Sequence, residues 1–151
     1  MKITDFLSKE AIVLDLKSKE KESAIKEMVN VLVKLKKINN PAEAVDMLMQ
    51  REKLGSTGIG QGVAIPHTRC DFVKEQVAVL GFSNEGVDFN ALDNCPVNIL
   101  FLLLCPGAST GEHLQAMAKI SKLLKDKTLR EALLKAKTSA EAFALIQQAD
   151  V

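Results

Sequence analysis

The sequence predicts a single α/β domain over residues 1–151, with a mixed sheet of about five strands and helices on both faces. Three observations predict this fold class. Apolar segments of strand length alternate with amphipathic helical segments along the chain. The run from Val97 to Leu104 is almost entirely apolar, which is typical of a central strand covered on both faces. Finally, 151 residues is about the length of one domain.

The first third of the chain predicts one short strand and two helices. A β-branched and leucine-rich segment from Ile12 to Leu16 indicates the strand, and Ser18 offers an N-cap for the helix that follows. Asn40 and Pro41 supply the cap and the first-turn proline of a second helix, which runs towards Lys53. The buried stripe of the first helix is predicted to contain Ile25, Met28, Val29, Leu32 and Leu35.

The middle of the chain predicts the remaining strands. Glycines interrupt residues 55–62, and the strand Val63 to Ile65 is expected to stop at Pro66, so that His67 stands where a strand ends. Two further strands are expected at Val77 to Phe82 and at Val97 to Leu104. Between those two, residues 86–92 predict an edge strand or a hairpin.

Three helices are predicted in the last third. A capping box at Ser109-Thr110-Gly111-Glu112 precedes a helix that places His113 in its first turn. Its apolar face is expected to contain Ala116, Met117, Ile120 and Leu124. Thr128 to Ala136 and Ser139 to Gln148 follow, each opened by a hydroxyl residue that can cap it.

Composition excludes several classes of function. With 20 basic and 19 acidic side chains, the formal net charge is +1, which does not favour nucleic acid or anionic lipid as a partner. The longest apolar run, Ile99 to Cys105, is far shorter than the roughly 20 residues that span a bilayer, and no apolar leader begins at Met1. We therefore expect a cytoplasmic protein without membrane insertion. Its three cysteines lack paired spacing and are expected to be reduced thiols.

His67 is the strongest candidate for chemistry. A neutral imidazole attacks phosphorus readily and leaves again as a good group, so it suits a phosphoryl carrier that is repeatedly loaded. The strand and proline before His67 fix its backbone while its ring can face a partner. His113, at a helix N-terminus, is a possible phosphoryl-binding group; the alternative is an exposed histidine without a role.

The glycine-rich stretch before His67 can cradle a phosphate. Ser56 and Thr57 have hydroxyls that can donate to phosphoryl oxygens, and Arg51 can balance their charge. The alternative is an ordinary surface turn after a solvated arginine. The stretch lacks the lysine of a Walker loop, and its glycine spacing does not match the dinucleotide fingerprint.

Metal and thiol chemistry are weaker alternatives. His67, Cys70, His113 and a carboxylate such as Asp71 could form a zinc site, but the spacing is not diagnostic. A cysteine nucleophile is less favoured still, because Cys105 ends an apolar strand and buried cysteine is usually inert. We expect no metal and no cofactor.

A long segment of the chain resembles a known active-site signature. Residues 51–67, Arg-Glu-Lys-Leu-Gly-Ser-Thr-Gly-Ile-Gly-Gln-Gly-Val-Ala-Ile-Pro-His, are similar to the signature of the fructose/mannitol-type (type 2) enzyme IIA domains of the phosphoenolpyruvate-dependent phosphotransferase system. Phe89-Asn90-Ala91-Leu92-Asp93-Asn94, Pro96-Val97 and His113-Leu114 resemble the same family, particularly its nitrogen-regulatory branch. The resemblance covers nearly the whole chain. Thr68 and Cys70 depart from the pattern, which bears on partner preference.

The resemblance implies a phosphotransferase in which His67 accepts a phosphoryl group from the histidine-containing phosphocarrier protein. It also implies that His113 lies beside His67 and stabilises the group, and that Arg51 belongs to the same surface. We expect a stand-alone regulator of nitrogen or carbon status, because no enzyme IIB or IIC sequence is fused to it. The alternatives are a sugar-import component that serves an enzyme IIB, and a binding module that acts unphosphorylated. Ile59 and Val63 are candidate docking residues whose other possible role is core packing.

Overall fold

Five α-helices, two 3-10 helices (Ile3–Asp5 and Lys9–Ala11) and six strands are present in residues 1–108 and 110–150, which are the residues that the computed structural model describes. The α-helices are α1 (Lys21–Lys34), α2 (Pro41–Lys53), α3 (Thr110–Leu124), α4 (Lys127–Lys135) and α5 (Ser139–Ala149). The strands are β1 (Ile12–Val13), β2 (Gly58–Gly60), β3 (Val63–Ala64), β4 (His67–Cys70), β5 (Val77–Val87) and β6 (Val97–Pro106). None of these described helices is long and apolar enough to cross a bilayer.

The strands form one mixed sheet in the order β1-β5-β6-β3-β2, and β4 also pairs with β6. β5 and β6 are antiparallel, whereas β3 and β4 both run parallel to β6. Their registers continue along one edge of β6, since Ala64 lies opposite Leu100 and His67 opposite Leu103. β3 and β4 are therefore one strand interrupted at Pro66. The predicted α/β fold is confirmed. The sheet has six strands where about five were expected, because β2 and β4 were not predicted and residues 86–92 do not form a strand of their own.

Alternation along β6 divides the interior into two cores. Successive side chains of a strand point to opposite faces of a sheet. Phe101, Leu103 and Cys105 lie in the core under α3, α4 and α5, whereas Leu100 and Leu104 lie in the core under α1 and α2. The predicted central strand is thus buried on both faces. The same alternation places Cys105, the penultimate residue of β6, on the α3 side of the sheet.

Two boundaries in the first third differ from expectation. β1 ends at Val13, so the strand predicted to Leu16 is wrong beyond its second residue. α1 begins at Lys21, and Ser18 is not its cap, because the hydroxyl of Ser18 donates to the carboxylate of Glu27 at 2.8 Å. α2 has the predicted bounds, with Pro41 in its first turn. The helix positions were predictable from periodicity, whereas their caps depended on contacts made later in the chain.

The remaining differences are at turns. The expected strand at residues 86–92 is wrong as a separate element, because β5 continues through a bulge to Val87, which pairs with Val97. Asp126 caps α4 in place of Thr128, since its carboxylate accepts the N–H groups of Thr128 and Leu129. Thr138 caps α5 in place of Ser139. The capping box predicted at Ser109 lies outside the described residues.

Candidate functional site

His67 is the first residue of β4, so it begins a strand segment where the sequence predicted the end of one. Pro66 has no N–H to donate to the sheet, which explains the interruption just before it. Its carbonyl still accepts the N–H of Leu103 at 2.9 Å, and this bond holds the start of β4 against β6. The half-buried ring of His67 therefore lies on β4, next to the central strand β6.

The hydrogen bond of the His67 ring determines which nitrogen can react. Nδ1 lies 2.6 Å from the carbonyl oxygen of Ile65. A carbonyl oxygen can only accept, so in the neutral ring Nδ1 must carry the hydrogen and Nε2 must carry the lone pair. The backbone thus fixes the tautomer that leaves the lone pair on Nε2 of His67.

His113 lies beside His67, in the first turn of α3. The centroids of the two rings are 5.4 Å apart and their planes are tilted by 43°. Nδ1 of His113 lies 3.0 Å from Sγ of Cys105, the penultimate residue of β6, on the α3 side of the sheet. The two histidines of the sequence, 46 residues apart, therefore form one site at the edge between the sheet and α3.

Both rings are held in the neutral state. Burial lowers the pKa of His67, and the charge of Arg51 lowers it further, against opposing effects of the Ile65 carbonyl and Glu52. Burial also lowers the pKa of His113, with smaller contributions from His67 and Arg69. Near pH 7 the neutral form of each ring dominates, since the ordinary histidine pKa of about 6.5 is already below that pH. His67 is therefore available as a nucleophile.

Two arginines contribute positive charge to the site. Arg51, in the last turn of α2, donates from Nη1 to the carbonyl oxygen of Gly55 at 3.0 Å, and its charge acts on His67. Arg69 is exposed on β4, two residues after His67, and its charge acts on His113. Residues two apart on a strand lie on the same face, but the sequence predicted that the strand stops at Pro66, so alternation did not indicate Arg69.

Ser56 and Thr57 support the glycine-rich loop. The hydroxyl of Ser56 donates to the carbonyl oxygen of Phe89 at 3.0 Å and accepts the N–H of Gly58 at 3.1 Å. Thr57 is buried, and its hydroxyl donates to Glu52. Each hydroxyl hydrogen is thus used within the protein, which differs from the phosphate contacts expected of these two residues.

Glu52 is a buried carboxylate that the sequence analysis also missed. It accepts the N–H of Thr57 at 3.1 Å and pairs with the ammonium group of Lys21, also at 3.1 Å. Lys21 lies over the ring of Phe89, 4.9 Å from its centroid. These contacts join α1, α2 and the loop that precedes β2, so the loop beside Arg51 is anchored from both helices.

The described residues offer no metal site, and two of the three cysteines are buried. No group of three or more His, Cys, Asp and Glu side chains among them could hold a metal ion. Cys70 lies in the core on the α1 and α2 side, and burial raises the pKa of its thiol to about 11. Burial raises the pKa of Cys105 to about 12. Both thiols are therefore protonated, which disfavours them as nucleophiles.

Four of the exposed large apolar side chains, Leu54, Ile59, Leu92 and Leu114, belong to segments next to the site. Leu114 follows His113, and Leu54 lies between Arg51 and the glycine-rich loop. The N–H of Leu92 reaches the carbonyl oxygen of Gly58 at 3.5 Å. Of the two docking candidates from the sequence, Ile59 is exposed, whereas Val63 is buried in the core.

Known proteins share this sequence and this fold. Residues 5–149 match the family described as "Phosphoenolpyruvate-dependent sugar phosphotransferase system, EIIA 2". The fructose-specific EIIABC component of Bacillus subtilis is 38% identical over 150 residues, which are 99% of this chain but only 24% of that longer protein.

Solved structures give the same result. The crystal structure of nitrogen regulatory protein IIA-Ntr from Neisseria meningitidis is 37% identical with a TM-score of 0.89, and the match covers 95% of this chain and 98% of that one. The enzyme IIAMTL in its complex with phosphorylated enzyme IIBMTL from Escherichia coli is 27% identical with a TM-score of 0.79, covering 92% and 95%. Since the family match extends over nearly the whole chain, the protein belongs to the EIIA 2 family of the phosphoenolpyruvate-dependent sugar phosphotransferase system.

Proposed function

We propose that this protein accepts a phosphoryl group on Nε2 of His67 from the histidine-containing phosphocarrier protein and passes it to another protein in the cytoplasm. The observation that carries the proposal is the bond from Nδ1 of His67 to the Ile65 carbonyl, which leaves Nε2 with the lone pair. Family membership supports the reaction class, and this hydrogen bond supports Nε2 as the accepting atom.

The transfer is a simple exchange of two bonds to phosphorus. The lone pair on Nε2 of His67 attacks the phosphorus atom as the bond from the donor nitrogen to phosphorus breaks, and its electron pair returns to the donor ring. Arg51 and Arg69 stabilise the charge on the transferring oxygens electrostatically, and His113 is the hydrogen-bonding partner. The same exchange in reverse gives the phosphoryl group to the next acceptor.

Partner proteins are proposed to dock on the apolar side chains around the histidines. Leu54, Leu92 and Leu114 are 85%, 79% and 64% exposed, which is unusual for leucine and indicates a contact surface. Exposed apolar side chains in segments that adjoin a cationic site suit brief association better than a permanent complex. Such a surface can serve a donor and an acceptor in turn. Ile59 lies farther away, in a cavity that it shares with Ser121 and Leu124 near the C-terminal end of α3.

We favour a regulatory role, in which the phosphorylated and unphosphorylated states bind different proteins. The nitrogen regulatory protein IIA-Ntr from Neisseria meningitidis supports this role, because its identity of 37% and TM-score of 0.89 exceed the 27% and 0.79 of the enzyme IIAMTL. The alternative is sugar import through an enzyme IIB, favoured by the similarity to the fructose-specific protein and to the IIA partner of phosphorylated enzyme IIBMTL. A third possibility is a regulator that binds its targets only when unphosphorylated.

A reconstituted transfer reaction tests the proposal. The protein is incubated with phosphoenolpyruvate, enzyme I and the phosphocarrier protein, and its intact mass is measured. We expect one added phosphoryl group that is lost in mild acid. An unmodified protein, or a modification that survives acid as a serine ester does, contradicts the proposal.

The two main roles are separated by offering the phosphorylated protein an enzyme IIB. Rapid loss of the phosphoryl group to a fructose-type or mannitol-type enzyme IIB supports sugar import. Retention of the group, together with a change in the proteins that copurify from nitrogen-limited cells between wild type and His67→Ala, supports regulation.

A further inference from the structure

Cys105 joins His113 to a side chain outside the proposed transfer site. Its Sγ atom lies 3.0 Å from Nδ1 of His113 and 3.2 Å from Oε1 of Gln76. Cys105 has no exposed surface, whereas Gln76 and His113 are half-buried. The three side chains form a chain of hydrogen bonds from the surface, through the end of β6, to the ring beside His67.

Counting the hydrogens fixes the direction of both bonds. A thiol has one hydrogen, and the amide oxygen of Gln76 can only accept. The thiol therefore donates to Gln76, and its sulfur accepts from Nδ1 of His113. Sulfur is a weak acceptor, but an N–H group pointing into the core has no water to bond instead. His113 is thus held as the tautomer with hydrogen on Nδ1.

We infer that Cys105 is a positioning residue that, with Gln76, directs Nε2 of His113 to the phosphoryl group on His67. The inference rests on the proposed function. The charge of a phosphoryl group favours uptake of a solvent proton by Nε2, because a nearby negative charge stabilises the imidazolium. The sulfur can still accept from Nδ1 in that state, so both N–H groups are satisfied and Nε2–H donates to a phosphoryl oxygen.

The neutral thiol is suited to this role. Burial keeps Cys105 protonated, so no thiolate competes with the phosphoryl group for the imidazolium of His113. A fixed negative charge at the same position would hold His113 protonated in the unphosphorylated protein and place a like charge near the incoming phosphoryl group. The cysteine provides an acceptor for Nδ1–H without such a charge.

The tautomer of His113 tests the inference in unphosphorylated protein. Two-bond ¹H–¹⁵N correlation spectra assign the hydrogen of each imidazole to one ring nitrogen. We expect Nδ1–H at His113 in wild type and in Cys105→Ser, whose hydroxyl can replace both thiol contacts. Gln76→Ala releases the thiol hydrogen to donate to Nδ1, so His113 should shift towards the Nε2–H tautomer. Cys105→Ala should also lose the Nδ1–H preference.

Glu75→Ala is the matched control, because Glu75 is exposed next to Gln76 but takes no part in the described hydrogen bonds that link Gln76, Cys105 and His113, here called the relay. Its spectra should match those of wild type. An unchanged Nδ1–H tautomer in both Gln76→Ala and Cys105→Ala, with the folds intact by circular dichroism, overturns the inference. This arm needs no phosphoryl donor, so its result is independent of the proposed function.

Transfer kinetics test the consequence. Cys105→Ala should accept the phosphoryl group about twofold to tenfold more slowly, the rate equivalent of one ordinary hydrogen bond, and Cys105→Ser should restore the rate. A changed tautomer with an unchanged rate overturns the positioning role. If wild type accepts no phosphoryl group at all, the proposed function fails, whereas the tautomer spectra still decide the relay.

Discussion

Glu52 offers a direct test of how the fold supports the site. The substitution Glu52→Gln keeps the shape of the side chain and one carbonyl oxygen for Thr57, but it removes the negative charge. The side chain of Glu52 is 2% exposed and that of Lys21 is 12% exposed. The ammonium group of Lys21 is then left nearly buried without a counter-charge.

The expected loss of stability follows from that burial. Breaking a buried ion pair by removing one partner typically costs about 3–5 kcal/mol in the free energy of unfolding. Lys21 retains its contact with the ring of Phe89 and a little solvent, so we expect the lower end, about 3 kcal/mol. For a domain of this size, that corresponds to a melting temperature lower by roughly 6–12 °C.

The matched control is Glu22→Gln on α1, the helix that carries Lys21. Glu22 pairs with Lys26 at 3.3 Å, close to the 3.1 Å of the buried pair, but both side chains are 58% exposed. Exposed helical pairs contribute about 0.3–0.5 kcal/mol, so this variant should melt within about 2 °C of wild type. Thermal melts followed by circular dichroism measure both. Equal losses in the two variants would refute the argument that the buried pair anchors the loop.

Three further predictions concern the chemistry. His113→Ala should still accept the phosphoryl group, with a rate reduced less than the ~10²-fold typical of a lost donor in a closed site, because this site is open to solvent; complete loss of acceptance in a folded variant contradicts its supporting role. Because burial lowers the pKa of both histidines, NMR titration of each ring should give a midpoint below pH 6.5. The rate of phosphoryl acceptance at pH 6.5 should therefore exceed half of the plateau rate reached at higher pH. A midpoint above 6.5 at His67 refutes this prediction. Transfer from phosphocarrier protein that is already phosphorylated should be insensitive to chelators, and stoichiometric zinc or iron tied to activity would contradict the carrier mechanism.

The sequence was sufficient for the fold because its signals are local. The apolar run of β6 and the amphipathic stripes of α1 and α3 depend on periodicity, which packing against the sheet preserves. Helix caps were less predictable. The hydroxyl of Ser18, expected to cap α1, instead donates to the carboxylate of Glu27, nine residues away. Short strands were hardest: β1 keeps its pairing for only two residues.

The functional site also contains some residues that the sequence could identify and others that it could not. His67 could be identified because the rigid segment before it and the glycine-rich loop are contiguous in sequence. Arg69 could not be assigned by strand alternation, because the sequence predicted that the strand stops at Pro66, whereas β4 continues it from His67 to Cys70. Glu52 and Cys105 could not be assigned, since a charged residue in a helix and a cysteine in an apolar run usually have no special role. Their roles depend on Lys21 and His113, which reach them only through the tertiary fold.

The central claim is that the phosphoryl group forms its bond to Nε2 of His67, because the Ile65 carbonyl occupies Nδ1. The most direct measurement is ¹⁵N and ³¹P NMR of the phosphorylated protein, with ¹⁵N-labelled histidine, compared with folded His67→Ala under the same conditions. We predict a phosphorus–nitrogen coupling at Nε2 of His67 and no phosphohistidine signal in the variant. A coupling at Nδ1 of His67, or a phosphohistidine that persists in His67→Ala, would contradict the account.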